Sequence, residues 1–274
     1  MNLSDINLVV SSDNSWYLDY ARLVRESYSK FFPEFKVHLA IVTENVNALP
    51  LAKYEEIFNS VRIYPDISGI PSGNQGKISR LIRASEFGDS ICMIEDIDTI
   101  PLQRAFIEQL VEKFKHDELN AVGHEVYTGS ETGKFPMSNV TASGKIFKEI
   151  FNPLSLEWKP LIKSYNVSKF DDKEKAQNAP GAFSDESLFR RLIAINYKGK
   201  INKVQRGVNI ATHWINREKF HNFTTFKSFD RERLKNSDYI LANLTPKPRE
   251  RFNEMKEVFD YIYNKDTTEL DLFL

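Results

Sequence analysis

Residues Ile91 to Asp98 read Ile-Cys-Met-Ile-Glu-Asp-Ile-Asp, so an acidic cluster directly follows a short apolar run. Four apolar residues in succession predict a strand that is buried on both faces, as the strands of parallel sheets are. Ligands of parallel α/β sheets bind at the carboxyl ends of the strands. The buried strand therefore favours a binding site at Asp96 and Asp98, whereas an Asp-x-Asp pair without such a strand is more often a solvated acidic turn.

The spacing of these two aspartates suggests a bound cation. They are two residues apart, so in an extended chain their side chains point to the same side. Two neighbouring carboxylates repel each other unless a cation lies between them. A hard divalent cation takes oxygen ligands and leaves positions open for phosphate oxygens. We therefore predict that Asp96 and Asp98 bind a divalent cation together with a phosphorylated ligand.

Strands and helices alternate along the first part of the chain. Strands are predicted at 6–10, 37–42, 61–64 and 90–94, and helices at 15–28, 54–58 and 77–87. This alternation predicts an α/β protein with a mostly parallel central sheet that helices cover on both faces. Beyond Pro101 the pattern is looser, and it predicts helices at 106–114, 145–151, 185–195 and 248–263 and a strand at 121–126.

A basic helix is predicted just before the acidic strand. Lys77, Arg80 and Arg83 recur every three residues and share one helix face. The loop expected before this helix contains three glycines, Gly69, Gly73 and Gly76. Flexible backbone and a helix N-terminus are suited to an anion. We predict that Lys77 and Arg80 contact a diphosphate and that Arg83 faces solvent. The alternative is an amphipathic helix whose whole basic face is solvated.

Composition excludes several classes of protein. Lys and Arg number 37 and Asp and Glu 38 among 274 residues, which gives no electrostatic case for a nucleic-acid partner. Cys92 is the one cysteine, so it forms no internal disulfide and no zinc cluster, and it is predicted as a buried core thiol. The first ten residues lack the basic flank of a signal peptide. No apolar run approaches the roughly 20 residues that cross a bilayer, and we expect a cytoplasmic protein.

Taken together, these features resemble the GT-A glycosyltransferases. The hallmark of that family is an Asp-x-Asp motif after a buried strand, preceded by a helix whose Lys or Arg faces the nucleotide. Here the motif is Asp96-Ile97-Asp98, followed by Pro101 and Leu102, and the resemblance covers residues 6–102. It implies a Rossmann-like, mostly parallel sheet flanked by helices in a single domain, 1–274. Residues 1–102 would form the nucleotide-sugar half and residues 103–274 the acceptor half.

The resemblance also implies roles for particular residues. Asp98 would bind Mn²⁺ or Mg²⁺, and Asp96 the same metal or the ribose. The end of the first strand, Ser11 to Asp13, would lie near the base and ribose. The donor would be a nucleotide diphospho-sugar, linked to UDP or GDP. The acceptor would be a hydroxyl of a glycan, a lipid-linked sugar or a protein, and a lipid-linked acceptor would bring the protein to the periphery of a membrane.

Two weaker matches lie later in the chain. Asp185 and Glu186 belong to a segment that resembles the acidic start of an acceptor-side helix, and one of them, Asp185 before Glu186, would be the catalytic base of an inverting enzyme. The acidic pair is why we favour inversion, although these acids and Ser184 also suit a simple helix start. His213 resembles the late histidine that these enzymes often supply to the metal, whereas a lone histidine is more often structural.

Other functions on a similar fold remain open. A sugar-1-phosphate nucleotidyltransferase carries a glycine-rich, basic loop after its first strand, and residues 11–16 contain neither glycine nor a basic residue. A catalytically silent protein that binds nucleotide sugars or carbohydrate would not need the intact Asp96 and Asp98 pair. A phosphohydrolase that uses Asp-x-Asp as its nucleophile and acid would carry the motif after the first strand, whereas here it follows the fourth.

Overall fold

The computed structural model describes residues 1–123, 135–165, 184–205, 214–215, 230–243, 249 and 252–273. Its strands are β1 (Ile6–Asp13), β2 (Lys36–Thr43), β3 (Ser60–Pro65), β4 (Ile91–Ile94), β5 (Thr99–Pro101), β6 (Leu119–Val122), β7 (Val140–Ser143), β8 (Ile201–Val204), β9 (Trp214–Ile215) and β10 (Leu241–Asn243). Its α-helices are α1 (Ala21–Phe31), α2 (Leu51–Ile57), α3 (Ser72–Ser85), α4 (Ala105–Lys113), α5 (Gly144–Phe151), α6 (Trp158–Tyr165), α7 (Ser184–Asn196), α8 (Arg231–Lys235), α9 (Phe252–Tyr263) and α10 (Glu269–Leu272). Short 3₁₀ helices cover Leu3–Asp5, Trp16–Tyr20 and Val46–Ala48.

Seven of these strands form one sheet in the order β3-β2-β1-β4-β7-β6-β8. The pairs β1/β2, β1/β4, β2/β3 and β6/β8 are parallel, and β7 is antiparallel to both of its neighbours, β4 and β6. The direction in which strands are added reverses between β1 and β4, which is where ligands of such sheets bind. Strands β5, β10 and β9 form a second, smaller sheet.

Helices cover both faces of the large sheet. Alternate residues of β1 belong to different apolar clusters, Leu8 and Val10 to one and Val9 to the other, because successive side chains of a strand point to opposite faces. The first cluster includes side chains of α1, α4 and α9, and the second includes side chains of α3, α5 and α7. All four residues of β4 are buried. The predicted α/β fold with a mostly parallel, covered sheet is confirmed.

The structure corrects several predicted boundaries. The first strand continues through Asp13 and replaces the loop expected after Val10, because residues 11–13 stay paired with β2. The helix expected to open at Ser15 begins as a 3₁₀ turn, and α1 starts at Ala21. Strands β7 and β8 and helix α6 were not predicted. These segments are short, so their periodicity is weak, and tertiary pairing decides them.

Two corrections concern the candidate site. Helix α3 begins at Ser72, so Gly73 and Gly76 lie within the helix and not in a loop before it. Residues 97 and 98 form a turn, closed by the Thr99 amide donating to the Asp96 carbonyl at 3.1 Å, so the motif is not an extended strand. Within the part of the chain that the structure describes, no helix is both long enough and apolar enough to cross a membrane.

Candidate functional site

The acidic residues meet at the carboxyl edge of the large sheet. Asp13 ends β1, and the segment from Glu95 to Asp98 follows the neighbouring strand β4. The Glu95 amide donates to the Val9 carbonyl at 3.2 Å, so the two strand ends stay side by side up to the start of the motif. This edge is the point where the strand order reverses, the position at which a ligand crevice is expected.

A glycine brings helix α3 against this edge. A Cβ atom added at Gly76 would lie 2.7 Å from the Asp13 amide nitrogen and 3.0 Å from the Ser12 carbonyl carbon. Only a residue without a side chain allows backbone to approach backbone this closely. Gly76 therefore sets the position of the helix and, with it, of the basic side chains at Lys77 and Arg80.

Arg80 is the centre of a buried group of charges. Its side chain is 2% exposed, and its Nη1 pairs with Asp96 Oδ1 while its Nη2 lies 3.3 Å from Asp185 Oδ2. Lys77 Nζ lies 4.0 Å from Asp185 Oδ1. Burial alone would lower the pKa of Arg80, but attraction by Asp96 and Asp185 raises it well above its usual value. We call Lys77, Arg80, Asp96 and Asp185 the charge cluster.

A second buried acid, Glu95, forms a hydrogen bond with the backbone of the motif. Its Oε1 accepts from the Asp96 amide at 2.9 Å, and the Ser138 hydroxyl donates to the carboxyl group, at 2.8 Å from Oε1 and 3.0 Å from Oε2. Burial, followed by repulsion from Asp96, raises the pKa of Glu95 to about 8. We assigned no role to Glu95 from the sequence, since its partner Ser138 lies just before the unpredicted strand β7.

The two predicted site residues of β1, Ser11 and Asp13, have distinct environments. Asp13 is half-buried, and its Oδ1 accepts from the Ser15 hydroxyl. Ser11 is buried, and its hydroxyl has no hydrogen-bond partner among the described residues. Asp98 is also buried, at 5% exposed. The structure thus places Ser11 and Asp13 at the edge where Asp96 and Asp98 lie.

The remaining predicted residues divide into two groups. Asp185 lies in the first turn of α7 and joins the charge cluster, and Glu186 beside it is half-buried. His213 and the side chain of Ser184 lie outside the described residues. Arg83 was predicted to face solvent, and this is wrong. It donates to Glu86 at 2.6 Å and to the Ser60 hydroxyl at 2.7 Å, because α3 packs along the sheet.

The donor set at the end of β4 suits a hard divalent cation. Asp96 and Asp98 supply carboxylate oxygens, which Mg²⁺ and Mn²⁺ prefer. Among the described residues, no group of three or more His, Cys, Asp and Glu side chains could hold a metal ion. Two carboxylates match the way in which Mg²⁺ binds nucleotide phosphates, with one or two protein ligands and the remaining positions taken by phosphate and water.

Comparison with known proteins gives structural likeness without a sequence match. No protein-family model matches the chain, and no curated protein is significantly similar to it. The glycosyltransferase GlyE of Streptococcus pneumoniae TIGR4, in its apo form, superposes with a TM-score of 0.45 at 13% identity, over 94% of this chain and 62% of that one. The present chain thus spans somewhat less than two thirds of the GlyE chain.

A second similar structure is the galactosyltransferase LgtC in complex with donor and acceptor sugar analogues. It has a TM-score of 0.47 at 9% identity, over 96% of this chain and 97% of that one. An active-site mutant of LgtC gives a TM-score of 0.46 at 11% identity, over 87% and 86% of the two chains. At these scores the likeness does not identify a family, and the function has to be argued from the residues of the site.

Proposed function

We propose that this protein is a metal-dependent glycosyltransferase of the GT-A type, which transfers a sugar from a nucleotide diphospho-sugar to a hydroxyl acceptor. One observation carries the proposal. The Asp96-Ile97-Asp98 motif follows a buried central strand at the reversal point of a mostly parallel sheet, and Arg80 of α3 pairs with Asp96. This combination suits a ligand that carries both a diphosphate and a metal ion.

The proposed division of labour follows from charge and position. Asp98 and Asp96 would hold Mn²⁺ or Mg²⁺, which when bound neutralises negative charge on the leaving diphosphate. Of the two basic members of the cluster, Lys77 is 35% exposed and Arg80 is 2% exposed, so Lys77 is the one better able to reach a diphosphate. Arg80 is buried between two carboxylates, so its proposed role is to fix Asp96 and Asp185 in place.

The donor's nucleoside would lie at the other side of the same edge. Ser11 and Asp13 end β1, next to the N-terminal half of α3, and their hydroxyl and carboxylate oxygens can bond to base or ribose. His213 remains a proposed further ligand of the metal.

The ion pairs of Asp185 bear on the choice of catalytic base. Its Oδ2 lies 3.3 Å from Arg80 and its Oδ1 lies 4.0 Å from Lys77, and the side chain is only 7% exposed, so both carboxylate oxygens face the charge cluster and not an incoming acceptor hydroxyl. If the enzyme inverts the anomeric centre, we therefore favour Glu186, the neighbouring half-buried acid, as the base. The anomeric configuration of the product, read by NMR, tests inversion directly.

The test of the function is binding and hydrolysis of a panel of UDP- and GDP-sugars, each with Mn²⁺ and with EDTA. We expect one donor to bind only with the metal. Asp98→Asn should weaken its metal-dependent binding by about 100-fold, since loss of a ligand charge costs a few kcal/mol. The matched control is Asp117→Asn, an exposed aspartate just before β6, which should bind the donor as the wild type does.

The alternatives predict different results in the same panel. A nucleotidyltransferase would consume a nucleoside triphosphate with a sugar 1-phosphate and release diphosphate. A silent binding protein would bind the donor without any slow hydrolysis or transfer. If no nucleotide sugar binds under any condition, the glycosyltransferase proposal is wrong, and Asp96 and Asp98 form an acidic turn.

A further inference from the structure

One buried side chain, Gln75, makes several hydrogen bonds to the loop between β3 and α3, residues 66–71. Gln75 is fully buried, and its Oε1 accepts from the Ile67 amide at 3.0 Å. Its Nε2 donates to the carbonyls of Ile70, at 2.9 Å, and Ile67, at 3.1 Å, and to the Asp66 carboxylate. A buried amide with both ends engaged fixes the backbone that it contacts, because each broken bond would leave an unsatisfied polar group.

This loop borders the candidate site. The Asp66 amide donates to the carbonyl of Thr43, the last residue of β2, at 3.1 Å. The segment after β1 is tied to the same strand, since the Asn14 amide donates to the Val42 carbonyl at 3.0 Å. The residue after Gln75 is Gly76, whose close contact with Asp13 seats α3 on β1. The loop and the carboxyl ends of β1 and β2 therefore form one continuous edge.

The tip of the loop lies between anchored residues. Ser68 and Gly69 are exposed, and Gly69 has a φ of 87°, whereas Ile67 on one side is buried in the second apolar cluster and Ile70 on the other side packs against it. Ordering such backbone costs free energy, because conformational entropy is lost. If the loop were disordered, the binding of a ligand would have to offset that free energy. Gln75 removes that cost in advance by holding the loop on both sides of its tip, at residues 66–67 and at Ile70.

We propose that Gln75 is a positioning residue for the nucleoside half of the donor, holding residues 66–70 in the shape that the base and ribose contact. This inference rests on the proposed function and adds a specific role to it. The diphosphate and the sugar are assigned to the Asp96, Asp98 and Lys77 side of the edge. Loss of the Gln75 contacts therefore raises KM for the donor and leaves kcat unchanged, as expected when uniform binding is lost.

The experiment compares two buried amides that hold loops in the same way. Gln75→Leu removes the contacts to residues 66–70. The control, Asn120→Leu, removes those of a fully buried asparagine. Its oxygen accepts from the Lys115 amide at 2.7 Å and from the Asn202 side chain at 2.8 Å, and its nitrogen donates to the carbonyls of Lys115, at 2.9 Å, Glu118, at 3.1 Å, and Thr141, at 3.0 Å. The Asn120 loop precedes β6 and so lies at the amino edge of the sheet, away from the site.

The probes are UDP, GDP and inorganic pyrophosphate, each with Mn²⁺, measured by calorimetry on both variants and the wild type. We expect Gln75→Leu to bind the preferred nucleoside diphosphate about tenfold more weakly and to bind pyrophosphate unchanged, because pyrophosphate lacks the nucleoside. Amide hydrogen exchange at residues 66–70 should accelerate in this variant. Asn120→Leu should bind the nucleoside diphosphate and pyrophosphate as the wild type does, even if its unfolding midpoint falls as much as that of Gln75→Leu.

Each other outcome has a defined meaning. Wild-type affinity of Gln75→Leu for the nucleoside diphosphate overturns the role of Gln75 alone. Equal weakening in Asn120→Leu, or equal weakening toward pyrophosphate, shows general destabilisation and also overturns that role. A wild-type protein that binds neither UDP nor GDP with Mn²⁺ contradicts the proposed function itself, and the role of Gln75 fails with it.

Discussion

Arg80 shows how one residue can bind together parts of the chain that are far apart in sequence. It pairs with Asp96, 16 positions away, and with Asp185, 105 positions away. A guanidinium group can form hydrogen bonds with two carboxylates at once because its N–H donors form a rigid planar fork, which a lysine side chain lacks. Its burial is tolerated only because both carboxylates compensate its charge.

Replacement of Arg80 should therefore be costly. Arg80→Met leaves the carboxylate of Asp185, which is 7% exposed, without its nearest cation, and we expect the free energy of unfolding to fall by about 3–5 kcal/mol. Adding Asp185→Asn should recover part of that loss, because an amide tolerates burial better than an unpaired charge. Urea unfolding measures both changes.

The control for this series is Arg62→Met. Arg62 has an ion pair with Glu86 at 3.8 Å, but its side chain is 56% exposed, so solvent screens the pair. We expect a change below about 0.5 kcal/mol. An Arg80→Met protein as stable as this control would show that the charge cluster contributes nothing to the fold.

At the scale of elements, the contact between α3 and β1 decides the geometry of the site. The sequence pattern predicts that this helix starts at Lys77, because glycine has a low helix propensity and Gly73 and Gly76 are typical of a loop. Tertiary packing overrides that preference at Gly76, where backbone presses on backbone. Gly76, which was predicted to lie in a flexible anion-binding loop, instead allows α3 to approach β1 closely.

The two glycines of α3 give a matched pair of substitutions. Alanine is the better helix former by about 1 kcal/mol at either position. At Gly73 a Cβ would meet Asp13 Oδ2 at an ordinary 3.8 Å, so Gly73→Ala should be neutral or stabilising. At Gly76 the Cβ would lie 2.7 Å from a backbone nitrogen, so Gly76→Ala should destabilise by about 1–3 kcal/mol.

Thermal and urea unfolding of the two alanine variants tests this contrast. Gly76→Ala should also weaken metal-dependent donor binding, because it moves Lys77 and Arg80 relative to Asp96. Equal stability of the two variants would contradict the close approach of α3 to β1.

At the scale of the molecule, the amino edge of the sheet carries a separate polar group that affects stability. His38 on β2 is buried, with Nδ1 2.8 Å from the Ser60 hydroxyl and Nε2 3.1 Å from Asn7 Oδ1. Burial lowers the pKa of His38 to about 4, and the positive charges of Arg83 and Lys36 act in the same direction. The histidine is therefore neutral in the folded protein at neutral pH.

This shift sets the pH dependence of stability. The unfolded chain protonates His38 near its ordinary pKa of 6.5 and the folded chain near 4, so the folded state binds fewer protons between these values. The contribution of His38 to stability is present above pH 6.5 and is lost as the pH falls toward 4. Between pH 7.5 and pH 5, we expect His38→Gln to lose about 2 kcal/mol less than the wild type.

Urea unfolding at the two pH values measures this difference. His116→Gln, at an exposed histidine before β6, is the control and should follow the wild type at both pH values. If His38→Gln lost as much unfolding free energy between pH 7.5 and pH 5 as the wild type, the pH dependence would come from a group other than His38.

The α/β class, the buried strand β4 and the position of the Asp96-Ile97-Asp98 motif can all be predicted from the amino-acid sequence. These features are local, since apolar runs and strand–helix alternation depend on residues close together in the chain. The same locality explains the errors at residues 11–13 and at the start of α3, where pairing with β2 and packing on β1 overrode propensity.

The residues that surround that motif depend on how distant segments of the chain pack together. Arg80 was predicted as a diphosphate contact, yet its burial depends on Asp185 of a helix far along the chain. The buried side chains of Glu95 and Gln75 have hydrogen-bond partners because Ser138 and the loop at residues 66–70 lie against them. A buried polar side chain is stable only where its partners are supplied, and the strand order brings those partners from segments that no local pattern connects.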